Sequence, residues 1–180
     1  MQLVPTAHPD VLLLEPTVHG DHRGFFFETF RGSVFAAAGL PEHFVQDNHS
    51  KSSAGILRGL HYQLQQPQGK LVRCIAGRVF DVAVDLRRHS SRFGQWVAVE
   101  LSADNKRALW IPPGFGHGFL VLGESAEITY KCSTYYHPAS DRSLRWDDPT
   151  LAIAWPLTSA PVLSDKDRTA PLLDAAELFP

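Results

Sequence analysis

Glycine and proline, thirteen of each, cut this chain into short runs rich in Val, Phe, Ile, Leu, Trp and Tyr. Glycine loosens the backbone and proline removes a donor, so neither suits the interior of a long regular element. Between these breaks lie candidate strands at Val11–Glu15, Gly24–Phe30, His43–Ser50, Ile56–Gln63 and Lys70–Ala76. Further candidates are Arg78–Leu86, Gln95–Leu101, Ala108–Ile111, Gly118–Leu122 and Ala126–Cys132. Long helical periodicity is missing from the middle of the chain. Short strands spaced by turn residues predict an all-β sandwich or barrel. Alternation is clearest in Arg78–Leu86: Phe80, Val82, Val84 and Leu86 take one face, and Val79, Asp81, Ala83 and Asp85 the other. The first set reads as a core face, the second as a mixed face. Gly77, just before this run, predicts a hairpin turn.

Two short helices are expected. Arg31–Ala38 carries helix formers and stops at Gly39-Leu40-Pro41, and Ala170–Phe179 has room for one or two turns. No linker, repeat or shift of composition divides the chain. Residues 1–180 therefore read as one domain, with a proline-marked tail from Pro156 wrapped over its surface.

The formal charge of −2 lacks the basic excess of a nucleic-acid binder. The run VLLLE near the N-terminus is too short for a signal sequence or a membrane span, so a soluble cytoplasmic protein is expected. Cys74 and Cys132 sit in apolar, strand-like runs and read as reduced, buried thiols. They are too few for a disulfide framework or a zinc site. No GxxxxGK(S/T) pattern occurs, and no GxGxxG follows a strand and opens a helix. No dinucleotide or redox cofactor is expected.

The segment Gly55–Arg73, GILRGLHYQLQQPQGKLVR, carries the densest chemistry. It holds Arg58, a fork for phosphate oxygens; His61, a proton carrier near neutral pH; and Lys70, a point charge. Together they suit acid–base chemistry on an anionic small molecule. Asp81 and Asp85 read either as catalytic carboxylates or as ion pairs along a wall, and the wall role is expected. PPGFGHGF, Pro112–Phe119, places His117 in a glycine-rich turn like the second histidine-bearing turn of cupin barrels. With His61 and His49 it offers imidazoles to a metal. The first motif, LHYQ, has one His and no nearby Glu, so a metal-free pocket is expected.

Other segments keep two readings. DHRGFFFETF, Asp21–Phe30, is an edge strand or a ligand-facing strand with Arg23 and Glu28. Gln46-Asp47-Asn48 is a turn or a set of hydrogen-bonding contacts. Tyr130, Tyr135 and Tyr136 pack, or supply a proton to an enolate. Leu163–Asp167, LSDKD, reads alone as a solvated loop.

Taken in order, the blocks DHRGFFFETF, QDNHSKSSAGILRGLHYQ, GKLVR, GRVFDVAVDLR, FGQW, LWIPPGFGHGFLVL, ITYKCSTYY and LSDKD resemble the dTDP-4-dehydrorhamnose 3,5-epimerase family over nearly the whole chain. The resemblance implies a cupin-like jelly roll or β-sandwich, usually a homodimer. It implies cofactor-independent epimerisation at C3 and C5 of dTDP-4-dehydro-6-deoxy-D-glucose. His61 would be the base, Asp167 its orienting carboxylate, Tyr130 the acid on the opposite face, and Lys70 the charge beside the C4 carbonyl. Arg23, Glu28, Gln46, Asp47, Asn48, Arg58, His117 and Lys166 would surround the nucleotide sugar, with Tyr136 stacked on thymine. The Asp21–Phe30 strand would serve the neighbouring subunit's site. Asp141 stands where many relatives have Glu, with the same charge and a shorter reach. Epimerisation at C3 alone or action on another 4-keto nucleotide sugar, a non-catalytic sugar-nucleotide-binding cupin, and a metal-dependent cupin oxygenase are the rival readings.

Overall fold

Two long strands organise the molecule. The computed structural model describes residues 1–180. In chain order the elements are β1 (Gln2–Pro5), β2 (Leu12–Glu15), β3 (His19–Asp21), β4 (Gly24–Phe26), α1 (Gly32–Ala37), β5 (Gln46–Ser53) and β6 (Leu57–Gln63). They continue with β7 (Lys70–Asp85), β8 (Trp96–Ser102), β9 (Ala108–Ile111), β10 (Phe115–Cys132), β11 (Asp141–Ser143) and α2 (Asp165–Arg168). All strand pairs are antiparallel, and β3–β4 forms a hairpin apart from the main nine-stranded sheet.

β7 and β10 pair along most of their length and bend together. Gly77 is not a hairpin turn. The strand continues through it without reversing, at φ +69°, and the strand opposite bulges, with Val121 facing Val79 and Ala126 facing Gly77. A Cβ at Gly77 would sit 2.0 Å from the Ser125 carbonyl oxygen, so the bend needs glycine. The pairs of strands expected on either side of Gly77 and of Gly123 are therefore single bent strands.

The bend gives β7 and β10 different neighbours at their two ends. Before Gly77, β7 pairs with β9, and the matching end of β10 pairs with β5. Beyond it, β7 pairs with β8, and the start of β10 with β6. Two layers result. Val72, Cys74, Leu109 and Ile128 of one meet Val79, Val97, Phe115 and Phe119 of the other in a common core. This is a cupin-like jelly roll.

Both faces of the second half of β7 are buried, which corrects the division into a core face and a mixed face. Val79 and Ala83 face the inter-layer core, whereas Val82, Val84 and Leu86 belong to a second cluster. Leu173, Ala176, Leu178 and Phe179 of the C-terminal tail complete that cluster. The tail is thus a packed part of the fold rather than a surface wrap. Its one helical turn lies at Asp165–Arg168, not at Ala170–Phe179. On the other outer face, Phe35 of α1 packs with Leu14, Leu71 and Trp110. Phe35 is fully buried, which contributes roughly 1.5–3 kcal/mol. The expected strand Gly24–Phe30 is paired only over Gly24–Phe26.

Candidate active site

A cavity of about 340 Å³ opens between the layers at the end where β5, β6 and β10 meet β11 and α2. His61 and Gln63 reach it from β6, Tyr130 from β10, Lys70 from the start of β7, and Gln46 and Asn48 from β5. Asp141 of β11, Tyr136 and Lys166 of α2 stand around it. His61 belongs to one layer and Tyr130 to the other, so the cavity has an imidazole on one wall and a phenol on the opposite wall.

His61 shows how the sequence builds this wall. On β10, His117 and Phe119 are two residues apart; their partners on β6, His61 and Arg58, are three apart. The extra residue is a bulge around Gly59, at φ +116°. A Cβ there would lie 2.5 Å from the Gly118 Cα. The bulge puts Arg58 and His61 on the same face despite their odd spacing.

The His61 Nε2 lies 2.5 Å from Asp167 Oδ1. Asp167 is 2% exposed. Its backbone N–H donates to Ser164 Oγ at the start of α2, and the Ser164 hydroxyl donates back to Asp167 Oδ2 at 2.8 Å. Burial raises the Asp167 pKa, but the bonds to His61, Ser164 and the Gly59 backbone outweigh it, so the carboxyl titrates below its ordinary value. Burial lowers the His61 pKa; Asp167 opposes it, and the net value stays below that of a free histidine. The neighbouring charges of Lys166 and Lys70 add to the lowering. At neutral pH the ring is neutral, with Nε2–H held by Asp167 and the Nδ1 lone pair free to take a proton.

Burial pushes the Tyr130 pKa up, against a smaller downward pull from the Arg58 charge, so its phenol keeps its proton. Tyr62 also borders the cavity, but its hydroxyl donates to the Glu177 carbonyl at 2.6 Å and anchors the tail. Burial lowers the Lys70 pKa, with Cys132, Asp141 and Asp81 opposing through space. Its register partner on β10 is Cys132. Cys74 and Cys132 are free and buried. No group of three or more His, Cys, Asp or Glu side chains is arranged to hold a metal ion.

A family model described as dTDP-4-dehydrorhamnose 3,5-epimerase matches residues 5–175. The chain belongs to the dTDP-4-dehydrorhamnose 3,5-epimerase family. It is similar to an enzyme of that name from Pseudomonas aeruginosa, 56% identical over 100% of both chains. The structure of dTDP-6-deoxy-D-glucose-3,5-epimerase from Legionella pneumophila, in complex with dTDP-4-keto-L-rhamnose, is 50% identical. It superposes with a TM-score of 0.96 over 99% of this chain and 97% of that one. A 3'-monoepimerase from Streptomyces bikiniensis, in complex with dTDP-quinovose, is 40% identical, with a TM-score of 0.89 over 94% and 87% of the two chains.

Not every residue expected from this epimerase family reaches the cavity. Strand alternation sends Asp47 to the opposite side of β5 from Gln46 and Asn48, where it pairs with Lys131 at 3.0 Å. His117 lies within β10 rather than in a turn. It is 8% exposed, with its Nε2 3.0 Å from Asp81, and stands beside His61 in register without lining the cavity. Asp85 is a wall ion pair, bonded by Arg87 and Ser90; burial raises its pKa, yet these bonds bring it down to about 2. Arg58 is exposed and does not line the cavity; it bonds Ser52 Oγ at 3.0 Å. Arg23 pairs with Asp21 at the tip of the β3–β4 hairpin, and Glu28 with Arg31, both outside the cavity of their own chain. His49 pairs with Glu127 at 3.0 Å.

Asp141 binds neighbours instead of standing free: its Oδ2 takes the Tyr136 hydroxyl at 3.2 Å and the Lys166 ammonium. Gln63 and Gln68 also border the cavity, though nothing in the sequence reading singled them out. The signal for Gln63 was available: it lies two residues from His61 on a strand, hence on the same face.

Proposed function

We propose that this chain, as one domain spanning residues 1–180, is an isomerase that inverts C3 and C5 of dTDP-4-dehydro-6-deoxy-D-glucose to give dTDP-4-dehydro-L-rhamnose. The observation that carries this reading is the His61–Asp167 pair and the Tyr130 phenol on facing walls of one cavity that Lys70 also lines. The C4 ketone acidifies the hydrogens on both neighbouring carbons. His61 Nδ1 takes a proton from one face, and the C–H electron pair moves onto the C4 oxygen. The Lys70 ammonium stabilises that enolate where its charge develops. Tyr130 returns a proton to the carbon from the opposite face, which inverts the centre. Repetition at the second carbon needs a change in which C–H meets His61, and proton exchange with solvent that returns His61 to neutral and restores the Tyr130 phenol. These steps use no cofactor and no metal.

The rest of the site is read as the nucleotide clamp. Tyr136 stacks on the base, and Gln46, Asn48, Arg58 and Lys166 bind the nucleotide sugar. Asp141 acts through Tyr136 and Lys166. Arg23 and Glu28 serve the site of a second copy in a homodimer. Support for this comes from the β3–β4 hairpin, which stands off the main sheet with Phe25 and Phe26 63% and 72% exposed. A cytoplasmic setting fits the two free, buried cysteines. No helix is long and apolar enough to cross a membrane.

Epimerisation at C3 alone is the second reading, favoured by the similarity to the 3'-monoepimerase. Incubation with dTDP-4-keto-6-deoxyglucose in deuterated water separates the two. NMR should find deuterium at C3 and C5; label at C3 alone would move the assignment to a monoepimerase. No label at either carbon would sink both.

A further inference from the structure

We infer that Gln63 is the positioning residue for Tyr136, and through it for the nucleotide base. Gln63 ends β6, 4% exposed. Its amide nitrogen donates to the carbonyl oxygens of Gln66 at 2.8 Å and Tyr135 at 3.3 Å. Its Oε1 accepts the His137 backbone N–H at 2.8 Å. Both amide hydrogens and one of the two oxygen lone pairs are therefore spent on loop backbone, and no donor is left to recognise a ligand.

The two residues gripped beyond β10 are those on either side of Tyr136. Tyr136 is itself gripped by a second glutamine: its backbone N–H donates to Gln46 Oε1 at 2.8 Å. This segment lies between the end of β10 at Cys132 and the short 3₁₀ turn at Pro138, with no sheet ladder of its own. The Tyr136 ring is 52% exposed, so packing does not hold it either. The buried Gln63 amide and the half-buried Gln46 amide set the backbone from which the ring projects, and Asp141 accepts its hydroxyl at the far end. A fully satisfied buried amide is a rigid mount, whereas a half-satisfied one is costly. Gln63 also stands two residues from His61 on one strand face, so the same strand registers the base platform against the proton-moving imidazole.

This inference rests on the reading of Tyr136 as the base platform. Calorimetric binding of dTDP to wild type, Gln63→Met, Tyr136→Ala and the double variant tests it, alongside steady-state kinetics of the first two. Gln63→Met should weaken dTDP about tenfold and raise KM in parallel, while kcat falls by less than about twofold. In the Tyr136→Ala background it should add nothing, because the group it positions is gone. A merely structural loss would add in full in both backgrounds, and that result would overturn the inference. A weakened Tyr136→Ala beside an unaffected Gln63→Met would overturn it alone. Normal dTDP binding by Tyr136→Ala would defeat the platform reading and the inference together. If Gln63→Met does not fold, Gln63→Glu reads the same quantity: it keeps the acceptor for His137 but sets a carboxylate against two carbonyls.

Discussion

His61 and Asp167 are joined at 2.5 Å across 106 positions of chain, one on β6 and the other on a single helical turn in the C-terminal tail. The tail reaches that position because its last residues are packed on the outer face of the second layer. The base is therefore complete only when the tail is docked. Asp167→Asn keeps the shape but replaces the charged acceptor. It should lower kcat at least about a hundredfold with little change in dTDP affinity, and His61→Ala should abolish hydrogen exchange into deuterated water.

The pH profile follows from the same pair. His61 works as a base only when neutral, so activity falls as pH drops through its pKa. Burial holds that pKa below the free-histidine value of 6.5, and the acid limb of kcat/KM should lie below it as well. Asp167 opposes the burial effect, so Asp167→Asn should move the limb further down. A limb that moved up would contradict the assignment.

Lys70 supplies charge rather than a proton. Lys70→Met should reduce kcat by roughly 10²–10³ while leaving dTDP binding within a few-fold, measured by stopped assays and calorimetry. Burial depresses its pKa, so any alkaline limb due to its deprotonation should fall below the ordinary lysine value of 10.5.

Asp141 Oδ2 ties the Tyr136 hydroxyl to the Lys166 ammonium at the cavity wall. Asp141→Ala frees both. We expect KM to rise about three- to tenfold with kcat nearly intact, which initial-rate kinetics would test. Asp141→Glu, with the longer reach, should restore most of the loss.

Gly59 makes the bulge that turns Arg58 and His61 to one face. Gly59→Ala would place a methyl against the backbone of the neighbouring strand, at a φ that side chains resist. A loss of about 3 kcal/mol or more is expected in urea unfolding. Near-wild-type stability would show that the bulge tolerates a side chain.

The short apolar runs and their glycine and proline breaks determined an all-β fold, because alternation and turn chemistry act locally. The order of blocks around His61, Lys70 and Tyr130 marked the family and most of the cavity-lining residues. What the sequence left open depended on pairing between distant segments. Gly77 reads as a turn because glycine permits both a reversal and a bend, and only the ladder between β7 and β10 decides between them. Asp47 read with Gln46 and Asn48 until strand alternation turned it away, and His117 read as a pocket residue until Asp81 was found beside it. The tail reads as peripheral because its apolar residues are buried only against strands far earlier in the chain. Local preferences are written residue by residue, but which carboxylate meets which imidazole is settled by the packing of layers. In that sense the sequence determined the chemistry available, and the tertiary structure decided that His61, not His117, stands in the cavity with a carboxylate behind it.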